Sequence, residues 1–116
     1  MQRTVYALAR YHDCGAALDF LTAAFGFRAH EVSKNDEGAV HHAELLVGGD
    51  LIMIGQGPPG GPGIYVAVDD VDAHHDRAVA AGAVVTMALV DQPYGSREYG
   101  CRDPGGNLWW FGTYRP

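Results

Sequence analysis

The chain has 116 residues, 47% of them apolar and 19% charged, proportions that suit one folded domain with a core of its own. Eight basic residues against fourteen acidic leave a formal charge of −6, and no basic run exists to release counterions from a phosphate backbone, which argues against nucleic acid as a partner. No stretch approaches the roughly 18 apolar residues of a membrane span, and Met1-Gln2-Arg3-Thr4 lacks the build of a signal peptide, so a cytoplasmic protein with no membrane partner is expected.

Thr4–Arg10 alternates weakly and predicts a strand. Asp13 is a good N-cap, the positions Ala16, Ala17, Phe20, Leu21 and Ala24 form a helical stripe, and Gly26 stops the helix. Cys14 follows the cap, where the helix dipole would lower a thiol pKa; filling space is the plainer role for so small a side chain. Phe27–Ser33 predicts a second strand and Lys34–Gly38 a turn. Ala39–Val47 is a third strand, Gly48-Gly49-Asp50 a tight turn, and Leu51–Ile54 a fourth strand. Residues 56–62, Gln-Gly-Pro-Pro-Gly-Gly-Pro, are too rich in Pro and Gly for a regular element and read as a linker.

The order then repeats. Ile64–Val68 predicts a strand, and Asp70 caps a helix that runs to Ala81 and stops at Gly82. Ala83–Leu89 is a strand, Asp91–Tyr94 a turn, Ser96–Arg102 a strand, Asp103–Gly106 a tight turn and Leu108–Thr113 the last strand. Gly48-Gly49-Asp50-Leu51-Ile52-Met53-Ile54-Gly55 returns as Gly105-Gly106-Asn107-Leu108-Trp109-Trp110-Phe111-Gly112, with four of eight positions identical and an offset of 57 residues. The same offset carries Asp13 onto Asp70. The chain therefore reads as one unit written twice. Module one covers residues 1–57 and module two 63–116, within a single domain over residues 1–116. The expected fold class is α+β: two tandem βαβββ modules forming a curved mixed eight-stranded sheet, with helices on its outer face and a cleft on the inner one. The two cysteines, Cys14 and Cys101, show no disulfide framework.

Several segments resemble the vicinal oxygen chelate superfamily, the glyoxalase, bleomycin-resistance and extradiol dioxygenase proteins. They are Ala16–Leu21 with Phe25-Gly26-Phe27, Tyr65–Asp72, Ala80–Ala83 and Asp103–Trp110. Together they span nearly the whole chain in the right order. The resemblance implies the fold and does not specify an activity. Members that use a metal place His, Gln or Glu ligands midway along the first strand of each module and four residues beyond the Gly-Gly turn. Carried onto this chain, those positions are Tyr6 and Gly63, then Met53 and Trp110. None is a usual ligand for a divalent ion, so no metal and no cofactor are expected.

His42 and Glu44 share one face of the third strand, with Val40 and Leu46, and are expected to line the cleft. The pair could hold a metal edge-on, act as a general acid and base, or simply offer a polar lining. His41 falls on the opposite, more apolar face. On the second helix His75 lies near the Val71, Ala78 and Val79 stripe, so His74 is expected to be the more exposed. Period-two alternation places Met53 and Trp110 on the cleft side and sends Trp109 and Phe111 under a helix. The resemblance implies that Gln92–Arg97 reaches over one cleft edge. Arg97 could there meet an anionic group, or else pair with Glu98, Asp103 or another carboxylate. The expected ligand-binding residues are thus Tyr6, His42, Glu44, Met53, Tyr94, Arg97 and Trp110, with His42 and Glu44 the catalytic candidates.

Three functions compete. The leading one is metal-independent binding of a small aromatic or drug-like molecule in an apolar cleft. The second is a lyase, isomerase or dioxygenase using His42 and Glu44, and the third a structural role with the cleft filled by side chains. The resemblance also implies a homodimer, because such proteins usually build two clefts from two chains.

Overall fold

Each half of the chain folds as β-α-β-β-β in the computed structural model, which describes residues 4–116. The reading of Met1, Gln2 and Arg3 lies outside the described residues. Module one comprises β1 (Leu8–Tyr11), α1 (Cys14–Phe25), β2 (Arg28–Lys34), β3 (Val40–Val47) and β4 (Asp50–Gln56). Module two comprises β5 (Ile64–Ala67), α2 (Val71–Ala80), β6 (Val84–Asp91), β7 (Arg97–Arg102) and β8 (Leu108–Gly112). The helix starts are those the sequence signals. Asp13 accepts from the Ala16 amide and Asp70 from the Ala73 amide, both at 3.0 Å, which satisfies one orphan donor in each first turn. Gly26 closes α1 in the left-handed region at φ 76°. The first strand begins later than alternation suggests, because only Leu8–Tyr11 finds a ladder partner, Met53–Gln56.

The eight strands are shared between two four-stranded sheets, β1-β4-β3-β2 and β5-β8-β7-β6. In each, the first strand pairs in parallel with the last and the other pairs are antiparallel. One helix covers one face of each sheet, and the two covered faces share a core. Sheet one contributes Tyr11, Ala43, Leu45, Ile52 and Ile54, and sheet two Tyr99, Cys101, Trp109 and Phe111. Phe25, the last residue of α1, lies in the aromatic cluster of the other module. Its ring centroid is 4.7 Å from Phe111, 5.4 Å from Trp109 and 5.8 Å from His74. Arg77 of α2 completes the helix contact by donating from Nε to the Ala23 carbonyl at 2.8 Å, at the negative end of α1.

The modules are also fastened by a buried carboxylate. Asp103, 4% exposed, accepts on Oδ2 from the Tyr11 hydroxyl at 2.5 Å and from Trp109 Nε1 at 2.8 Å, and on Oδ1 from the Asn107 amide at 2.9 Å. Asn107 donates in turn to the Arg10 carbonyl at 2.8 Å. The turn is built for this approach, since a Cβ on Gly105 would stand 2.3 Å from the Tyr11 ring. Burial and the neighbouring carboxylate hold the Tyr11 phenol protonated well above its ordinary range.

One expectation changes here. His74, not His75, is the inward histidine: its ring lies 4.1 Å from Phe111 and its Nδ1 is 2.6 Å from the Tyr99 hydroxyl. Val71, His74 and Ala78 form the inward stripe, whereas Val79 is exposed, so the stripe is turned toward His74 and away from Val79 relative to where the apolar residues alone would draw it. Cys14 and Cys101 are both buried free thiols. Burial, with Asp13 adding to it, raises the Cys14 pKa, so packing and not reactivity accounts for it, and burial pushes Cys101 up to about 12.

Two predictions follow from this core. Tyr11→Phe leaves the buried Asp103 carboxylate one donor short and is expected to cost about 1–3 kcal/mol in urea unfolding; an unchanged midpoint would remove Asp103 as the fastener. Burial lowers the His74 pKa from 6.5 to about 4; the Phe25 carbonyl opposes this and Arg77 adds to it. The unfolded chain therefore takes up the His74 proton first, and stability should fall as pH drops from about 6.5 toward about 4. His74→Phe is expected to flatten that slope, read as the urea midpoint across the window.

Candidate ligand-binding faces

The second face of each sheet carries no helix. On sheet two this face is set by β8, where Trp109 and Phe111 turn into the core and Trp110 turns out. Trp110 is flanked in register by Tyr65 of β5 and Gly100 of β7. A Cβ on Gly100 would stand 2.5 Å from the indole ring, and one on Gly63 would stand 3.1 Å from its Nε1. The indole therefore lies along the sheet over two glycines, half-buried and with its outer surface open.

One register step along the same face, Glu98 of β7 stands opposite Gly112 of β8. A Cβ on Gly112 would be 2.7 Å from Glu98 Cγ, 2.8 Å from the Tyr65 hydroxyl and 3.1 Å from Ser96 Oγ. These groups converge over a floor that only glycine provides. Tyr94 donates to Glu98 Oε1 at 2.7 Å, and that bond, more than burial, raises the phenol's pKa. Tyr65 donates to the Tyr114 carbonyl at 2.7 Å.

Sheet one presents the equivalent face with other chemistry. Leu8, Met53, Glu44 and Glu31 lie side by side across β1, β4, β3 and β2, and the next row is Arg10, Gly55, His42 and Ser33. His42 and Glu44 do share this face, as alternation predicts, and both are half-buried. Neither side chain has a hydrogen-bond or ion-pair partner among the described residues. By register His42 opposite Gly55 matches Glu98 opposite Gly112, so the two halves carry an imidazole and a carboxylate at equivalent points.

The remaining expected residues fall as follows. Met53 and Trp110 occupy matching places on the two open faces. Tyr6 precedes β1 and is partly exposed. Tyr94 stands at the edge of the sheet-two face through its bond to Glu98. Arg97 turns to the helix side, where it contacts Asp72 at 3.0 Å and Asp91 at 3.3 Å. Glu98 went unremarked as a site residue, although alternation along β7 places it opposite the core-facing Tyr99 and Cys101. Chemically, thioether, phenol, indole and a bare glycine at the four carried metal positions do not match the hard or borderline donors of such sites. Among the described residues, no group of three or more His, Cys, Asp or Glu could hold a metal ion.

The two open faces lie on the outward sides of sheets whose inward sides share a core, so residues of one face do not close over the other within a chain. A distinct, mainly apolar hollow of about 280 Å³ lies at the start of α1, between Tyr11, Phe20 and the Asp103–Gly105 turn. A family model, Glyoxalase/Bleomycin resistance protein/Dioxygenase superfamily, matches residues 3–111. Uncharacterized protein Mb0911c of Mycobacterium bovis is 34% identical over 117 residues, covering 86% of this chain and 76% of its own length. The crystal structure of TioX from Micromonospora sp. ML1 superposes with a TM-score of 0.83 at 32% identity, covering 98% of each chain. The fosfomycin resistance protein FosX from Mesorhizobium loti superposes at 0.74 with 16% identity, covering 99% of this chain and 94% of its own, a likeness of fold.

Proposed function

This chain belongs to the glyoxalase/bleomycin resistance protein/dioxygenase superfamily, and from that premise we propose that it binds a small aromatic or drug-like molecule without a metal ion, in clefts completed by a second copy. The observation that carries the reading is Trp110. Where metal-using relatives place a ligand, this chain lays a half-open indole over Gly100 and Gly63. A flat, rigid, apolar surface with a few polar groups beside it is what a planar guest needs. Metal independence follows from the donor types at Tyr6, Met53, Gly63 and Trp110, whichever chain supplies each half of the cleft.

The open faces support the homodimer that the family resemblance implies. Each open face is one wall, and the two walls of one chain look apart. A second copy supplies the facing wall, turning two exposed faces into two clefts. Met53, His42 and Glu44 would then border the guest opposite Trp110 and Tyr94. Arg97, engaged by Asp72 and Asp91, plays no part in this reading.

His42 and Glu44 support a second reading, acid–base catalysis on the bound molecule. They share a face, are half-buried, and have no partner among the described residues to consume their hydrogen-bonding capacity. In that reading His42→Asn abolishes turnover in a substrate screen while leaving affinity within about twofold.

The binding reading predicts that a planar aromatic probe quenches tryptophan fluorescence saturably. Trp110→Phe should abolish the quenching, since Trp109 is wholly buried, and Trp110→Leu should weaken affinity by about tenfold, the worth of one aromatic contact. Quenching that persists in Trp110→Phe, or binding that disappears with a chelator, would overturn the reading. Light scattering should report two chains per particle, and a single chain at working concentration would contradict the completed cleft.

A further inference from the structure

Glu98 is 9% exposed, yet no Lys, Arg or His pairs with it among the described residues. One oxygen, Oε1, takes the Tyr94 hydroxyl at 2.7 Å, and among the described residues Oε2 takes no donor. Oε2 is not sealed from solvent, so a charged donor arriving from outside can reach it. Its surroundings are aromatic. The Tyr65 hydroxyl and Glu98 Cγ meet above the bare Cα of Gly112, and the Tyr94 ring is 6.2 Å from Tyr114, nearly perpendicular to it. Trp110 follows Tyr65 in register along the same face. The cations nearest in sequence are engaged elsewhere: Arg97 on Asp72 and Asp91, Arg102 on the Gly106 carbonyl at 3.0 Å and, further along, Arg115 on Asp69.

We propose that Glu98, walled by Tyr65, Tyr94 and Trp110, is a receptor for an organic cation, an ammonium or guanidinium group carried on the aromatic guest. The inference rests on the small-molecule reading and gives it a charge class. Oε2 supplies the charge-assisted hydrogen bond, and the ring faces stabilise the cation through their quadrupoles. Gly112 keeps the floor low enough for the head group to reach the carboxylate. The formal charge of −6 favours the same sign of guest at long range.

Calorimetric titration with naphthylmethylammonium, naphthylmethanol and naphthylacetate tests this, because the three share a ring and differ only in head-group charge. The ammonium should bind about tenfold or more tightly than the alcohol, with the acetate weakest. Glu98→Gln keeps the shape and the acceptor for Tyr94, so it should erase the preference for the ammonium while leaving the alcohol's affinity within about twofold. Trp110→Leu should weaken the ammonium and the alcohol alike. Equal binding of ammonium and alcohol to the unaltered protein, or a preference that survives Glu98→Gln, overturns the cation receptor and leaves the binding reading standing. Failure of all three to bind overturns both.

Discussion

The buried carboxylate of Asp103 is the joint on which the arrangement of the two modules depends. It belongs to a turn of module two, but the short bond to it comes from Tyr11 at the end of β1. Trp109 Nε1 and the Asn107 amide take up its remaining capacity, so among the described residues the carboxylate is held by three donors and no cation. A hub of this kind is directional in a way that apolar burial is not. It specifies how deeply the turn enters, and Gly105 is present because the Tyr11 ring already occupies the space of a side chain. With that turn seated, Phe25 can enter the aromatic cluster of the other module.

Seating the modules through their helices has a consequence for function. The faces that share the core are spent on stability, and the faces left over present His42, Glu44, Glu98 and Trp110 outward. On both, a glycine at the matching point of the last strand lowers the floor, Gly55 in one module and Gly112 in the other. The groups above those floors have diverged. Over Gly55 stands His42 beside Arg10, and over Gly112 stands Glu98 beneath tyrosines. The duplication therefore preserves a geometry while the side chains over its two floors differ.

The same divergence bears on the metal chemistry associated with the family. The positions are geometrically intact, since Met53 and Trp110 hold equivalent places on their strands and Gly63 approaches the Trp110 indole. What differs is the donor set. At the Trp110 position the chain presents an indole laid on glycine, an apolar surface in place of a hard or borderline donor.

Much of this was legible in the order of residues. The repeated Gly-Gly segment, the Asp caps and the glycine stops are local signals, each acting over a few residues, and they locate the helices and strands. Alternation along β8, β4 and β3 likewise assigned Trp109 and Phe111 to the core and Met53, Trp110, His42 and Glu44 to the other face, because side-chain parity on a strand is a local property. Parity says nothing about which neighbour arrives across the ladder. That Arg97 is held by Asp72 and Asp91, that His74 is the inward histidine, and that Glu98 is buried beside phenols with no cation depend on long-range pairing and on how α2 rotates against its sheet. Pairing of that kind is decided only when β7 meets β8 and the two modules close on a common core.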